Sequence, residues 1–163
     1  MKLRLLLCIV FCATTLSYAQ VSTPAVEQGK KFGQSVFGLG ISMGLVSGFG
    51  FSFRHHLPTK LSYQGVFGII KNGSKLLYNV GAEGQYDIVR AGETRFFAVG
   101  AMGIFYSGDG SNDLSGPFRL GAGIGGEWKG IESFHISGEF LFTYFNDGNV
   151  LPLPQVSAHY YFF

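Results

Sequence analysis

The sequence predicts an all-β fold: an eight-stranded antiparallel up-and-down transmembrane β-barrel. Three observations carry that expectation. Short apolar–polar alternations recur along the chain, separated by clusters of Gly, Pro, Asn, Asp and Ser, with no convincing helical period. Glycine accounts for 25 of 163 residues, more than twice the usual share of about 7%, and so many glycines would break helix interiors. Only 13% of the residues are charged while 47% are hydrophobic and 16% aromatic; an ordinary soluble domain is about 25% charged. The same figures exclude a disordered chain, which would be polar and poor in aromatics. Two cysteines exclude a disulfide scaffold, and glycines without a strict triplet exclude collagen.

Residues 1–19 read as a secretory signal peptide. Lys2 and Arg4 form a charged start, Leu5 to Ala13 an apolar run, and Ser17-Tyr18-Ala19 a small-residue cleavage site before Gln20. The apolar run is about half the roughly 20 residues that span a bilayer as a helix. Cleavage would remove Cys8 and Cys12, leaving no thiol chemistry, and would bring the basic residues level with the 10 acidic ones. The precursor's net charge of +2 therefore points to no nucleic-acid partner. Residues 20–34 are polar and unpatterned, a leader on the periplasmic side, and the barrel is expected over 35–163.

The expected strands are 35–45, 49–57, 61–70, 75–88, 95–106, 118–129, 134–145 and 154–162. Successive side chains on a strand point to opposite faces. The first strand sets Phe37, Leu39, Ile41 and Met43 against Gly38, Gly40, Ser42 and Gly44. The second sets Phe49, Phe51 and Phe53 against Ser52, Arg54 and His56. The fourth sets Leu76, Tyr78, Val80 and Tyr86 against Asn79, Glu83, Gln85 and Asp87. The sixth sets Leu120, Ile124 and Trp128 against Arg119, Gly121, Gly123 and Glu127. The seventh sets Phe134, Ile136, Phe140 and Phe142 against His135, Ser137 and Glu139. The fifth, RFFAVGAMGIFY, is apolar on both faces and gives no orientation.

Size decides which face points inward. An eight-stranded barrel has an interior just wide enough for side chains. Bulky aromatics suit its unconfined outside, and the Gly- and Ser-rich polar faces suit the crowded inside. That is the inverted sense of an outer-membrane barrel, with strands near the about 9–11 residues needed to cross a bilayer. An even strand count puts both termini on the periplasmic side. The turns at 57–60, 90–94 and 129–133 are then short and periplasmic, whereas 107–117 and 146–154 are long and external, the asymmetry such barrels show.

The chain ends His159-Tyr160-Tyr161-Phe162-Phe163. A terminal aromatic strand ending in Phe resembles the C-terminal signal read by the barrel assembly machinery. With the strand count, residues 35–163 resemble the small eight-stranded outer-membrane barrel superfamily, the OmpA/OmpX type, without a peptidoglycan-binding domain. The resemblance implies a location in the cell outer membrane, contact with its lipid and lipopolysaccharide, and an assembly signal at Tyr160, Phe162 and Phe163. The apolar series Val156, Ala158, Tyr160, Phe162 predicts that the lipid-facing register ends at Phe162.

Arg54, His56, Glu83, Gln85, Arg119, Glu127, His135 and Glu139 all fall on polar faces. Charges in a narrow interior must be paired, because an unpaired buried ion costs several kcal/mol, so these residues are expected to form a network that fills the lumen. A structural or surface-interaction role through the external loops follows, with Asp109, Asn112, Asp113, Asn146 and Asp147 as loop candidates and a surface or envelope protein as a possible partner. A small ion-conducting pore is the first alternative. A lipid-modifying enzyme is the second, since His135 and Ser137 late in a small barrel resemble the lipid A deacylases. Gly138 stands where that family has Asn, however, and the alternation turns both residues away from lipid. A soluble lipocalin-like carrier is the third. Gly121 to Gly126 matches G-x-G-x-x-G, but inside a strand rather than between a strand and a helix. Asp109, Ser111, Asn112 and Asp113 are oxygen donors without the EF-hand glycine, since Leu114 stands there. The sequence points to no cofactor, metal site or catalytic residue.

Overall fold

The computed structural model describes residues 35–73, 75–108, 117–131 and 133–162. The expected signal peptide and leader, with Cys8 and Cys12, lie outside the described residues, as do Asp109, Ser111, Asn112, Asp113 and Phe163.

The chain is a closed barrel of eight strands in sequence order. They are β1 Val36–Gly44, β2 Phe49–His56, β3 Leu61–Asn72, β4 Lys75–Ala91, β5 Thr94–Gly108, β6 Phe118–Ile131, β7 Phe134–Phe145 and β8 Val150–Phe162. Each pairs antiparallel with the next, and β8 closes on β1, with Phe162 opposite Phe37 and Gln155 opposite Gly44.

The alternation turns outward as expected. Ile41, Phe51, Phe67, Ile124, Phe142 and Val156 are each at least half exposed, whereas Ser52, Arg54, Gln64, Gln85, Glu127, Ser157 and His159 are buried. An apolar outside around a polar inside is the arrangement of a membrane-spanning barrel. The outward aromatics with polar tips fall in two belts. Tyr63, Tyr86, Trp128 and Tyr160 lie toward the end that carries the termini, and Tyr78, Tyr106 and Tyr144 toward the other. Phe, Leu, Ile and Val fill the band between. Tyr and Trp favour the bilayer interface because their rings are apolar and their tips wet.

The strand without a sequence orientation is settled: in β5, Arg95, Phe97, Val99 and Ala101 point inward, and Phe96, Met102 and Ile104 outward. In β4 the register slips between Asp87 and Val89. This bulge leaves Ile88 and Val89 both exposed and returns Arg90 toward Asp87, with which it pairs. His55 and His56 point to opposite sides, as strand geometry requires. His55 is outside, stacked on Phe37 at 4.0 Å between ring centroids and hydrogen-bonded to the Tyr63 hydroxyl at 2.6 Å.

The expected long loop at 146–154 is a tight turn instead. β8 begins at Val150, and residues 146–149 make the connection, with Gly148 at φ +84°. Asp147 accepts the Asn149 backbone N–H at 3.1 Å and the Asn149 side-chain N–H at 2.7 Å, which hold its carboxyl below the usual range. Pro152 and Pro154 argue for a loop when only the sequence is in view. They sit opposite Phe142 and Phe140 of β7, while β1 joins β8 only from Gln155 onward. Residues 150–154 are therefore an edge, where a missing N–H is tolerated.

The β1–β2 connection does not project either. Val46 and Ser47 are wholly buried because this loop folds down into the barrel mouth. Gly48 turns it with φ +114°. Asn79 then pins the returning strand, its Oδ1 accepting from the Phe49 N–H and its Nδ2 donating to the Phe49 carbonyl, both at 3.0 Å. Glycines on the facing strands make the room. A Cβ on Gly81 would stand 1.8 Å from the Ser47 carbonyl oxygen, one on Gly103 2.2 Å from that of Val46, and one on Gly121 2.9 Å from the Val46 side chain.

Candidate functional site

The lumen centres on Arg54. β2 carries it inward between the outward Phe53 and His55, and its side chain is fully buried. Nε donates to Gln64 Oε1 at 2.6 Å. Nη1 donates to Glu127 Oε2 at 2.5 Å. Nη2 donates to the hydroxyls of Ser137 and Ser157 at 3.1 and 3.0 Å, with Glu139 at 3.7 Å. One guanidinium thus ties β2 to β3, β6, β7 and β8.

Glu127 is the second hub. Its Oε2 also accepts from Arg95 Nη2 at 2.7 Å, and its Oε1 contacts His135 Nδ1 at 2.8 Å. Arg95 donates as well to Asp87 at 2.8 Å and Gln85 at 2.8 Å, and lies 4.5 Å over the Phe97 ring. The two guanidiniums thus share one carboxylate. His56 contacts the Tyr161 hydroxyl at 2.7 Å and Ser62 at 2.6 Å. His159 contacts Ser52 at 2.8 Å.

Glu83 and Glu139 are held differently. The Gln85 amide donates to both, at 3.2 and 3.0 Å, and the Gln155 amide donates to both at 2.7 Å. Two buried carboxylates therefore share neutral donors and repel one another. Glu139→Gln removes that repulsion while disturbing one amide contact. It is expected to change unfolding stability in urea by less than about 1 kcal/mol. A loss of several kcal/mol would show Glu139 to be an essential counter-ion of Arg54.

The structure brings together Arg54, His56, Glu83, Gln85, Glu127, His135 and Glu139. Arg119 is the correction. It points inward, but it sits at the mouth near the loop end, far along β6 from Glu127, and its Nη1 donates to the Leu45 carbonyl at 2.6 Å. The second arginine of the network is Arg95, which the sequence could not orient. Gln64, Asp87, Gln155, Ser157, His159 and Tyr161 also belong. Its place shows only in the strand register, which sets Arg95 directly opposite Glu127. His135 and Ser137 both face the lumen; the Ser137 hydroxyl is taken by Arg54 and by Ser157 at 2.6 Å, and no hydrogen bond joins the two. Among the described residues, no group of three or more His, Cys, Asp or Glu is placed to hold a metal ion. Gly121 to Gly126 lies wholly within β6. Tyr160 and Phe162 are outward and exposed, and Phe162 is the last residue of β8. Asn146 and Asp147 stand in the exposed β7–β8 turn.

No protein-family model matches the chain, and no curated protein matches it in sequence. Solved structures do match. The N-terminal β-barrel domain of OprF from Pseudomonas aeruginosa superposes with a TM-score of 0.53 at 11% identity, covering 78% of this chain and 96% of that one. A major outer membrane protein from Thermus thermophilus gives a TM-score of 0.48 at 13% identity, over 78% and 99%. Neisserial surface protein A gives 0.45 at 17%, over 78% and 92%. At 11% identity, what the chain shares with the OprF barrel is its architecture: the chain has the fold of the small eight-stranded outer-membrane β-barrels.

Proposed function

We propose that the protein is an outer-membrane barrel that works by surface interaction at its loop end, its lumen serving as a solid core. The observation that carries this reading is the combination of an apolar exterior with a lumen filled twice over. The Arg54–Glu127 network fills the lumen toward the end where β1 starts and β8 finishes, and Val46 and Ser47 fill it from the mouth. A filled interior leaves the ends for contact with other molecules. The loop end also stands proud of the barrel. The β4–β5 ladder continues to Leu76 opposite Gly108, and β7–β8 to Tyr144 opposite Val150. By contrast, the β2–β3 register ends at Phe51 opposite Phe67. The likeness to the OprF barrel supports the membrane reading. Outer-leaflet lipopolysaccharide, or a protein on a neighbouring surface or in the envelope, is the class of partner proposed, and the barrel assembly machinery would read the Tyr160–Phe162 end.

Membrane fractionation with gel mobility before and after heating tests this. The chain is expected in the outer-membrane fraction, with mobility that shifts on boiling; recovery in the soluble fraction would sink the reading. In planar bilayers the protein is expected to give no steady conductance. A stable open level that Arg54→Gln or Arg119→Gln alters would instead favour a pore.

A further inference from the structure

The barrel mouth holds a cation that the lumen network does not use. Arg54, Arg90 and Arg95 each pair with a carboxylate. Arg119 has no carboxylate partner among the described residues. Its guanidinium lies 3.9 Å over the Phe105 ring and 5.3 Å from that of Phe145. Those rings fix its position without neutralising its charge. Nη1 is committed to the Leu45 carbonyl, while Nε is buried with no hydrogen-bond partner. Nη2 is the one guanidinium nitrogen of Arg119 that is neither hydrogen-bonded nor sealed from solvent, so it is the one an incoming acceptor can reach.

The same side chain lines a cavity of about 240 Å³ with Phe49, Leu77, Tyr78, Phe105 and Tyr106. Tyr78 and Tyr106, on the outward faces of β4 and β5, stack on each other at 4.5 Å beside it. An aromatic-walled cavity with few polar groups is the usual composition of a small-molecule site, though this one is smaller than the roughly 300–1,000 Å³ that takes a drug-sized ligand. A guanidinium N–H donates a charge-assisted hydrogen bond to an oxygen of a carboxylate or phosphate.

We propose that this mouth cavity binds a compact organic anion, a phosphate monoester or carboxylate carried on a ring or short apolar body. Nη2 of Arg119 would hold the charged group, and Phe49, Leu77 and Phe105 would pack against the body. The charged group can come from a free molecule or from the headgroup of a neighbouring lipid. The inference deepens the surface-interaction reading and takes from it only the compartment that supplies the ligand.

The test is calorimetric titration of the full chain, folded in zwitterionic micelles, with phenyl phosphate, benzoate and inorganic phosphate. Phenyl phosphate is expected to bind saturably and more tightly than inorganic phosphate. Arg119→Gln is expected to weaken it about tenfold or more. Arg119→Lys keeps the charge and a donor for Leu45, and is expected to fall between. A heat-shifted gel mobility shows that each variant has folded. No saturable binding by wild type, or equal binding by Arg119→Gln, overturns the proposal. Repeating the titration in phosphatidylcholine vesicles, with and without phosphatidic acid, separates the sources. Competition assigns the site to a lipid headgroup, and unchanged binding assigns it to a soluble anion. Because the micelle titration needs no membrane location, failure of the site and failure of the outer-membrane reading give different results.

Discussion

Arg54→Met is expected to cost the barrel about 3–5 kcal/mol of unfolding stability, because breaking one side of a buried ion pair leaves the other uncompensated. The change strips hydrogen bonds from Gln64, Glu127, Ser137 and Ser157 at once. It leaves Glu127 with Arg95 and His135, and Glu139 beside Glu83. Urea unfolding in micelles, followed by Trp128 fluorescence, reads the loss. Glu127→Gln is expected to act in the same direction, since two guanidiniums rest on that carboxylate. Replacing Arg54 by Met and Glu127 by Leu together should cost less than the two single losses combined, because hydrophobic substitution of both partners leaves no buried charge unpaired. An Arg54→Met midpoint within about 0.5 kcal/mol of wild type would mean that packing alone holds the interior.

Gly103→Val is expected to lift the β1–β2 loop out of the mouth. The new Cβ would stand 2.2 Å from the Val46 carbonyl oxygen, and the next atoms it would meet are at 3.2 Å or more. Strand pairing around Gly103 is thus spared, and the loop has to move. A reporter is available in Val46→Cys, in a chain with Cys8 and Cys12 replaced by serine. Val46 has no exposure in the folded barrel, so a thiol reagent would reach that cysteine only through local opening. Adding Gly103→Val is expected to raise the labelling rate by about tenfold or more. Equal rates in the two backgrounds would show that the loop already leaves the mouth freely.

Much of the architecture is legible in the sequence because a barrel's sequence repeats with period two, and one period fixes both the strand and its faces. The strand count, the outward Phe and Ile series and the register end at Phe162 all follow from it. The legible part stops where the period carries no contrast. In β5 both faces are apolar, so the sequence does not place Arg95, although it is as central as Arg54. Alternation also gives a side and not a height: it puts Arg119 on the right face of β6 and at the wrong level of the lumen. Pro152 and Pro154 read as loop because proline ends a paired strand, and only the pairing shows them on an edge. The tucked loop at Val46 and Ser47 has no period at all. Its trace in the sequence is the glycines on the facing strands, which alternation explains equally well as generic small residues.

The branching of Arg54 also bears on how the strands find their alignment. Sliding β8 by one residue would turn its apolar side chains into the polar lumen, an error that side-chain polarity itself rejects. Sliding by two residues keeps every apolar side chain outward and passes that check. It would, however, bring Gln155 or His159 to the level of Ser157, and Arg54 and Ser137 would then face the wrong partner. The buried polar set thus proofreads the errors to which the greasy surface is blind. A barrel of this size would need such an internal key even if nothing ever passed through it.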